Sequence, residues 1–198
     1  MSPPTITQFG PADYREQPWK NGGGRTCELR RAPHPVQPDA FAWRLSIATV
    51  TSSGPFSAYT GVDRIIMLLD GEGFGLRIAS AREQLVTRRW EPLGFPGEAS
   101  VHCRLLGGTV RDFNLMTDRE LFRATLRVVS LPAGAGTLSI APLTLLYLLE
   151  GTLQVETGAD EPTQLLAVGD LVEANQLRAL NYIAPGIAQV AVAELTPR

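Results

Sequence analysis

A chain of 198 residues with 44% hydrophobic content can bury a real core and should fold without disulfide staples. Its net charge of -2, with 19% charged residues, offers no basic surface for phosphate backbones, so nucleic acid is not an expected partner. No apolar run approaches the roughly 18 residues of a membrane span, and Met1 to Phe9 lacks the basic and apolar segments of a signal peptide, so a cytoplasmic chain with no membrane partner is expected.

The first distinctive element is Pro18-Trp19-Lys20-Asn21-Gly22-Gly23-Gly24. Three consecutive glycines cost conformational entropy to order, which suggests backbone amides brought close to a partner, an anion among the candidates. Lys20 is the only lysine among 18 basic side chains. A compact ammonium and a planar guanidinium are not interchangeable, so Lys20 is a candidate site residue in a chain that otherwise uses arginine.

Strands are expected around residues 25 to 31 and across Phe41 to Ala48, where Trp43, Leu45 and Ile47 alternate with Arg44 and Ser46. Gly54-Pro55-Phe56-Ser57 and Gly61-Val62-Asp63-Arg64 follow. Further strands are expected around 63 to 69, 73 to 79, 84 to 90, 100 to 106 and 109 to 116, the last carrying Arg111-Asp112-Phe113-Asn114-Leu115-Met116-Thr117. Phe122 to Val128 alternates again, with Arg123, Thr125 and Arg127 on its solvated side. Strands near 144 to 157 and 187 to 194 complete an all-β reading, with 34 glycines and prolines as punctuation.

The two alternating strands begin an internal repeat. An offset of 81 lays Phe41, Leu45 and Ile47 on Phe122, Leu126 and Val128, and Val50 to Pro55 on Leu131 to Gly136. Met67 to Gly71 falls on Tyr147 to Gly151 at an offset of 80, and Trp90 to Gly97 on Val168 to Asn175 at 78. The segment Leu148-Leu149-Glu150-Gly151-Thr152-Leu153, followed by Val168-Gly169-Asp170-Leu171, resembles the cupin superfamily of small jelly-roll barrels. The expected fold is a bicupin: two jelly-roll-like β-barrels in tandem, residues 1–117 with an N-terminal arm and the ligand pocket, and residues 118–198 with a structural role.

Cupin metal sites need several imidazoles and a carboxylate, and this chain has two isolated histidines, His34 in a loop and His102 in a strand. Neither a metal nor another cofactor is expected. His34 reads as a surface residue and His102 as a core or pocket-edge one. Cys27 and Cys103 fit no zinc spacing and read as reduced buried thiols. Adjacent His102 and Cys103 would point to opposite faces, which argues against a nucleophilic pair. Gly71-Glu72-Gly73-Phe74-Gly75 precedes a strand rather than a helix, so it reads as a hairpin turn instead of a dinucleotide loop.

Taken in order, the Trp-Lys-Asn-Gly-Gly-Gly run, Trp43-Arg44-Leu45-Ser46-Ile47-Ala48, Gly-Pro-Phe-Ser, Gly-Val-Asp-Arg and Arg-Asp-Phe-Asn-Leu-Met-Thr resemble the HutD/Ves family over residues 18 to 117. The resemblance implies a bicupin fold, a bacterial source and an association with histidine utilisation, without implying a reaction. Lys20, Arg44 and Arg64 supply positive charge, Asn21, Ser46 and Asn114 hydrogen bonds, and Trp19, Trp43, Phe56 and Phe113 apolar walls, a set suited to a small carboxylate. Asp63 and Asp112 would orient Arg64 or Arg111, or one would act as a general base. The expected function is a non-catalytic protein that senses or buffers a small anionic metabolite, by resemblance urocanate or formylglutamate. The alternative is a metal-free cupin enzyme, an isomerase or hydrolase acting on a small polar substrate, with Lys20 or Asp112 moving the proton. Long strand edges also suggest a homodimer.

Overall fold

The computed structural model describes residues 3–156 and 163–198. Nineteen strands are described: β1 Thr5–Phe9, β2 Arg15–Pro18, β3 Gly24–Pro33, β4 Phe41–Val50, β5 Gly54–Pro55, β6 Val62–Asp70, β7 Phe74–Ile78, β8 Gln84–Val86, β9 Leu93–Pro96, β10 Val101–Leu105, β11 Val110–Asp118, β12 Phe122–Leu131, β13 Gly134–Ser139, β14 Leu143–Glu150, β15 Leu153–Val155, β16 Gln164–Leu166, β17 Leu171–Asn175, β18 Ala179–Ala184 and β19 Ala188–Pro197. The fold is all-β, with a single 3-10 turn at Pro11–Asp13 among the described residues. The strand expected at 144 to 157 is two strands, β14 and β15, which part after Glu150 and belong to different sheets, and residue 157 lies outside the described residues. No described helix is long and apolar enough to cross a membrane.

The chain divides into two compact units, one formed by Tyr14–Phe122, the other by the segment ending at Asp13 together with Arg123–Pro197. Each unit has a large and a small sheet. In the first, β2-β3-β4-β11-β6-β9 faces β5-β10-β7-β8; in the second, β12-β19-β14-β17-β1 faces β13-β18-β15-β16. Strands β4 to β11 therefore recur in order as β12 to β19. The shared turn has a shared steric cause. Gly71 and Gly151 both have positive φ (98° and 88°), and a Cβ would lie 2.7 Å from the Thr109 carbonyl in one and 2.8 Å from the Ile187 carbonyl in the other.

Neither unit closes into a barrel. Among the described residues the large and small sheets of each unit remain separate, so each unit is a two-sheet jelly-roll sandwich; in the first, the edge strands β5 and β8 are only two and three residues long. The N-terminal arm, expected with residues 1–117, pairs elsewhere: β1 runs antiparallel to β17, with Thr5 opposite Asn175 and Phe9 opposite Leu171. In place of a division at Thr117 and Asp118, the units part between Phe122 and Arg123.

Both sandwiches bury apolar side chains from their two sheets. In the first, Ala48, Val50, Ile66, Leu68, Phe95 and Val110 of the large sheet meet Phe74, Leu76, Val86, Val101 and Cys103 of the small one. In the second, Leu146, Leu148, Val172, Val190 and Val192 meet Leu153, Val155, Leu166, Leu180 and Tyr182. This contiguous apolar burial is the main stabilising term of each unit.

Candidate functional site

Strand register builds the site. Across β4, β11 and β6, Val50 and Val110 lie in the apolar core, then come the rows Ala48–Asp112–Leu68, Ser46–Asn114–Ile66 and Arg44–Met116–Arg64. The period of two turns all of these toward the interior of the sandwich, so the core grades from apolar to charged along one face. At its polar end is a cavity of about 490 Å³, lined among others by Trp19, Lys20, Asn21, Arg44, Ser46, Phe56, Arg64 and Asn114. That volume suits a small molecule.

Arg64 forms one wall. It is 6% exposed, and its guanidinium carbon lies 5.0 Å from the Phe95 ring centre, 5.3 Å from Phe56 and 5.8 Å from Tyr59. Three ring faces fix the plane of a cation by quadrupole attraction. Its Nη1 donates to the Ser57 carbonyl at 3.3 Å, while its Nε has no hydrogen-bond partner. Burial pulls the Arg64 guanidinium below its ordinary range; Asp112 and then Tyr59 act in the opposite sense.

Arg44 reaches the cavity from β4, with its Nε 3.2 Å from Glu28 Oε2 on the neighbouring β3. Glu28 stands opposite Ser46 in the ladder and so shares the interior face. Ser46 and Asn114 sit directly opposite one another, and Asn114 Oδ1 is buried without a partner.

The glycine run is a closed turn. Gly22 N donates to the Trp19 carbonyl at 3.0 Å and Gly23 N to Asn21 Oδ1 at 3.0 Å, while Trp19 N donates to the Gly24 carbonyl at 2.9 Å. The amides of Gly22 and Gly23 are thus spent inside the turn instead of facing an anion, which corrects the expectation. Gly24 is glycine for close packing, since a Cβ there would collide with the Thr49 carbonyl and lie 3.1 Å from the Trp19 ring. Trp19 Nε1 donates to Thr26 Oγ1 at 2.8 Å, and the anchored ring sets Lys20 and Asn21 at the cavity rim.

Behind the cavity wall, Asp112 is 1% exposed and neither carboxylate oxygen has a hydrogen-bond partner. Burial pushes its carboxyl up to about 7, against the opposing pull of Arg64. Cys103, on the facing sheet, is pushed to about 12 by burial and then by the Asp112 charge, an inert thiol as expected.

Of the ten candidate residues the cavity brings together Lys20, Asn21, Arg44, Ser46, Phe56, Arg64 and Asn114. Three lie elsewhere. Trp43 is buried on the opposite face of β4, and Phe113 likewise on β11, because their odd-numbered neighbours share that face. Asp63 points away from Arg64 by the same alternation and accepts from Arg119 Nε at 2.7 Å, an arginine that also holds Glu98 at 2.9 and 3.0 Å. Asp112 faces inward but lies beneath the lining, and hydrogen-bonds to neither Arg64 nor Arg111. Sequence reasoning missed Ala48, Met116, Ser57, Tyr59 and Glu28. Period two from Ser46 and Asn114 points to Ala48 and Met116, whereas nothing local marks Glu28 or Tyr59.

The histidines exchange roles. His34 is tucked in, its Nδ1 accepting from Val36 N and Gln37 N at 3.0 and 2.9 Å and its Nε2 3.5 Å from Asp118 Oδ2. His102 is exposed, since neighbouring Cys103 takes the inward face of β10. Among the described residues no three His, Cys, Asp or Glu side chains form a group able to hold a metal.

The second unit repeats the scaffold with different residues at the corresponding positions. Thr144 pairs with Glu194, Leu146 with Val192 and Leu148 with Val190, where the first unit pairs Arg64 with Met116, Ile66 with Asn114 and Leu68 with Asp112. Arg127, expected on the solvated side of its strand, stands instead on the face that Val129 and Leu131 turn to the core, at the position of Ser46, with its Nη2 3.5 Å from Glu194 Oε1.

Fold and site together define an all-β, cupin-like tandem repeat with a polar cavity in its first unit. The chain belongs to the HutD family, whose model matches residues 11–191. It is 43% identical over 115 residues to an uncharacterised 21.2 kDa protein in the hutC 3′ region of Pseudomonas putida, covering 58% of this chain and 60% of that relative. It is 35% identical to protein Ves of Cronobacter sakazakii over 77% of this chain and 82% of Ves. The structure of HutD from Pseudomonas fluorescens SBW25 superposes with a TM-score of 0.81 at 30% identity, covering 98% of this chain and 99% of that one. Escherichia coli YlbA, at 9% identity and a TM-score of 0.70 over 98% of this chain and 92% of its own, shares the fold alone. The family is linked to the histidine-utilisation region.

Proposed function

We propose that the first unit binds a small carboxylate metabolite without turning it over, and that the protein senses or buffers an intermediate of histidine breakdown such as urocanate or formylglutamate. The observation that carries this reading is the convergence of Lys20, Arg44 and Arg64 with Ser46 and Asn114 on one cavity. A carboxylate in a half-buried site gains charge-assisted hydrogen bonds from guanidinium groups, and the exclusion of water strengthens them. The second unit is the internal control: in the places of Asp112 and Asn114 it holds Val190 and Val192, so folding of this scaffold does not require those two polar side chains.

The alternative, a metal-free isomerase or hydrolase, needs a proton-transfer group at the ligand. Of its two candidates Lys20 stands at the exposed rim and Asp112 lies behind the wall, which favours binding over catalysis. A homodimer through strand edges belongs to the same proposal, and sedimentation equilibrium tests it.

A thermal-shift screen with urocanate, formylglutamate and formate tests the binding reading. A ligand at 100 times its dissociation constant stabilises the fold by about 2.7 kcal/mol. No shift with any of these carboxylates would overturn the proposal.

A further inference from the structure

The carboxyl of Asp112 has no evident structural purpose. It is buried in an apolar row between Ala48 and Leu68, both oxygens lack hydrogen-bond partners, and the same place in the second unit is filled by Val190. A carboxylate in such a place needs either a counter-charge or a proton. The charged groups around it are few. Arg64 stands two rows farther along the same inner face, opposite Met116, and its charge opposes the effect of burial on Asp112, while Cys103 from β10 is a thiol held far above neutrality. Farther along the same interior, Arg44 on β4 stands with Glu28 on β3, and Tyr59 and Lys20 come from loops. Arg64 is therefore the cation that sustains an ionised Asp112, and Arg64 is also a wall of the cavity with its Nε unpartnered.

Building on the carboxylate-binding reading, we infer that Asp112 is a specificity-determining residue of the cavity: it supplies the counter-charge of Arg64 in the free protein and surrenders that charge by taking a proton when a ligand carboxylate arrives. One guanidinium in a low-dielectric interior cannot stabilise two carboxylates equally, and the like-charge repulsion is relieved by protonating the one with no hydrogen bonds. The proton comes from solvent, an O–H bond forms on Asp112, and no other bond changes. The site thereby selects monoanionic groups and couples their binding to pH. Because burial holds the Asp112 carboxyl at about 7, the exchange falls near neutrality.

Isothermal titration calorimetry of the full chain with formylglutamate, whose carboxylates do not titrate near neutrality, tests this. At pH 7 the heat should differ between HEPES and Tris in proportion to their ionisation enthalpies, reporting uptake of part of a proton per ligand. Affinity should fall with rising pH above about 7, by up to about tenfold per unit. Asp112→Asn should lose both the buffer dependence and the pH slope, binding at pH 8 as tightly as the unaltered protein does at pH 6. If that variant does not fold, Asp112→Val places the second unit's residue in the first, with the same expectation. Binding with buffer-independent heat, or proton uptake persisting in the variants, overturns the role of Asp112 alone. Absence of binding overturns it together with the carboxylate-binding reading.

Discussion

Asp112 and Val190 occupy the same place in their two units: Asp112 stands opposite Leu68 on β6, and Val190 stands opposite Leu148 on β14. One scaffold thus carries an unpartnered carboxyl in one core and a methyl pair in the other.

The difference predicts a pH-dependent stability. In the unfolded chain Asp112 releases its proton near 3.8, and in the folded chain it retains it up to about 7. Between these values the folded state binds more protons, so stability falls as pH rises through the window and levels off above it. Asp112→Val should remove this slope and stabilise the protein at pH 8 by about 1 to 4 kcal/mol, measured by urea unfolding at pH 5 and pH 8. Equal loss of stability at both pH values would contradict the buried charge.

Arg44→Lys keeps the charge and removes the two-pronged geometry, so carboxylate affinity should weaken by about 1 to 3 kcal/mol with the fold intact. Glu28→Gln has the opposite sign. It withdraws the anion 3.2 Å from Arg44 and should tighten carboxylate binding by about 1 kcal/mol. Calorimetric titration reads both, and an unchanged affinity in Arg44→Lys would remove Arg44 from the site.

Gly24→Ala places a methyl between the Thr49 carbonyl and the Trp19 ring. The expected cost is about 1 to 3 kcal/mol, together with altered tryptophan fluorescence as the ring leaves Thr26. A neutral variant would show that the turn yields more readily than the contacts imply.

Asp63→Ala should leave carboxylate affinity unchanged, because Asp63 faces Arg119 rather than the cavity. Losing its solvent-exposed pair with Arg119 should lower the thermal unfolding midpoint only slightly.

With His34 held by its own loop and His102 exposed on β10, purified protein should contain no stoichiometric transition metal. Elemental analysis giving near one zinc, iron, nickel or manganese per chain would refute this.

The sequence by itself determined the all-β class, the repeat and the alternation along β4 and β12. These are local properties: a period of two needs only neighbouring residues, and the Gly71 and Gly151 turns carry their own steric cause. The alternation already separated Arg44 and Ser46 from Trp43, Leu45 and Ile47. It could not say which set faced the sandwich interior, because β4 is a central strand buried on both sides, and Leu45 and Ser46 are equally hidden at 0% and 2% exposure. The same ambiguity put Trp43 and Asp63 among the candidates.

Only the tertiary structure decided the partners. Glu28 meets Arg44 because β3 pairs with β4 across a bulge, Arg64 is enclosed by rings from β9 and from the loop after β5, and β1 joins a sheet whose other strands begin at residue 122. Such contacts join segments far apart in the chain, and the free energy that selects them is the burial and pairing of the finished sheets. Asp112 is the clearest case. Its position on the inner face follows from period two, whereas its buried, unpartnered state follows from the facing sheet that covers it.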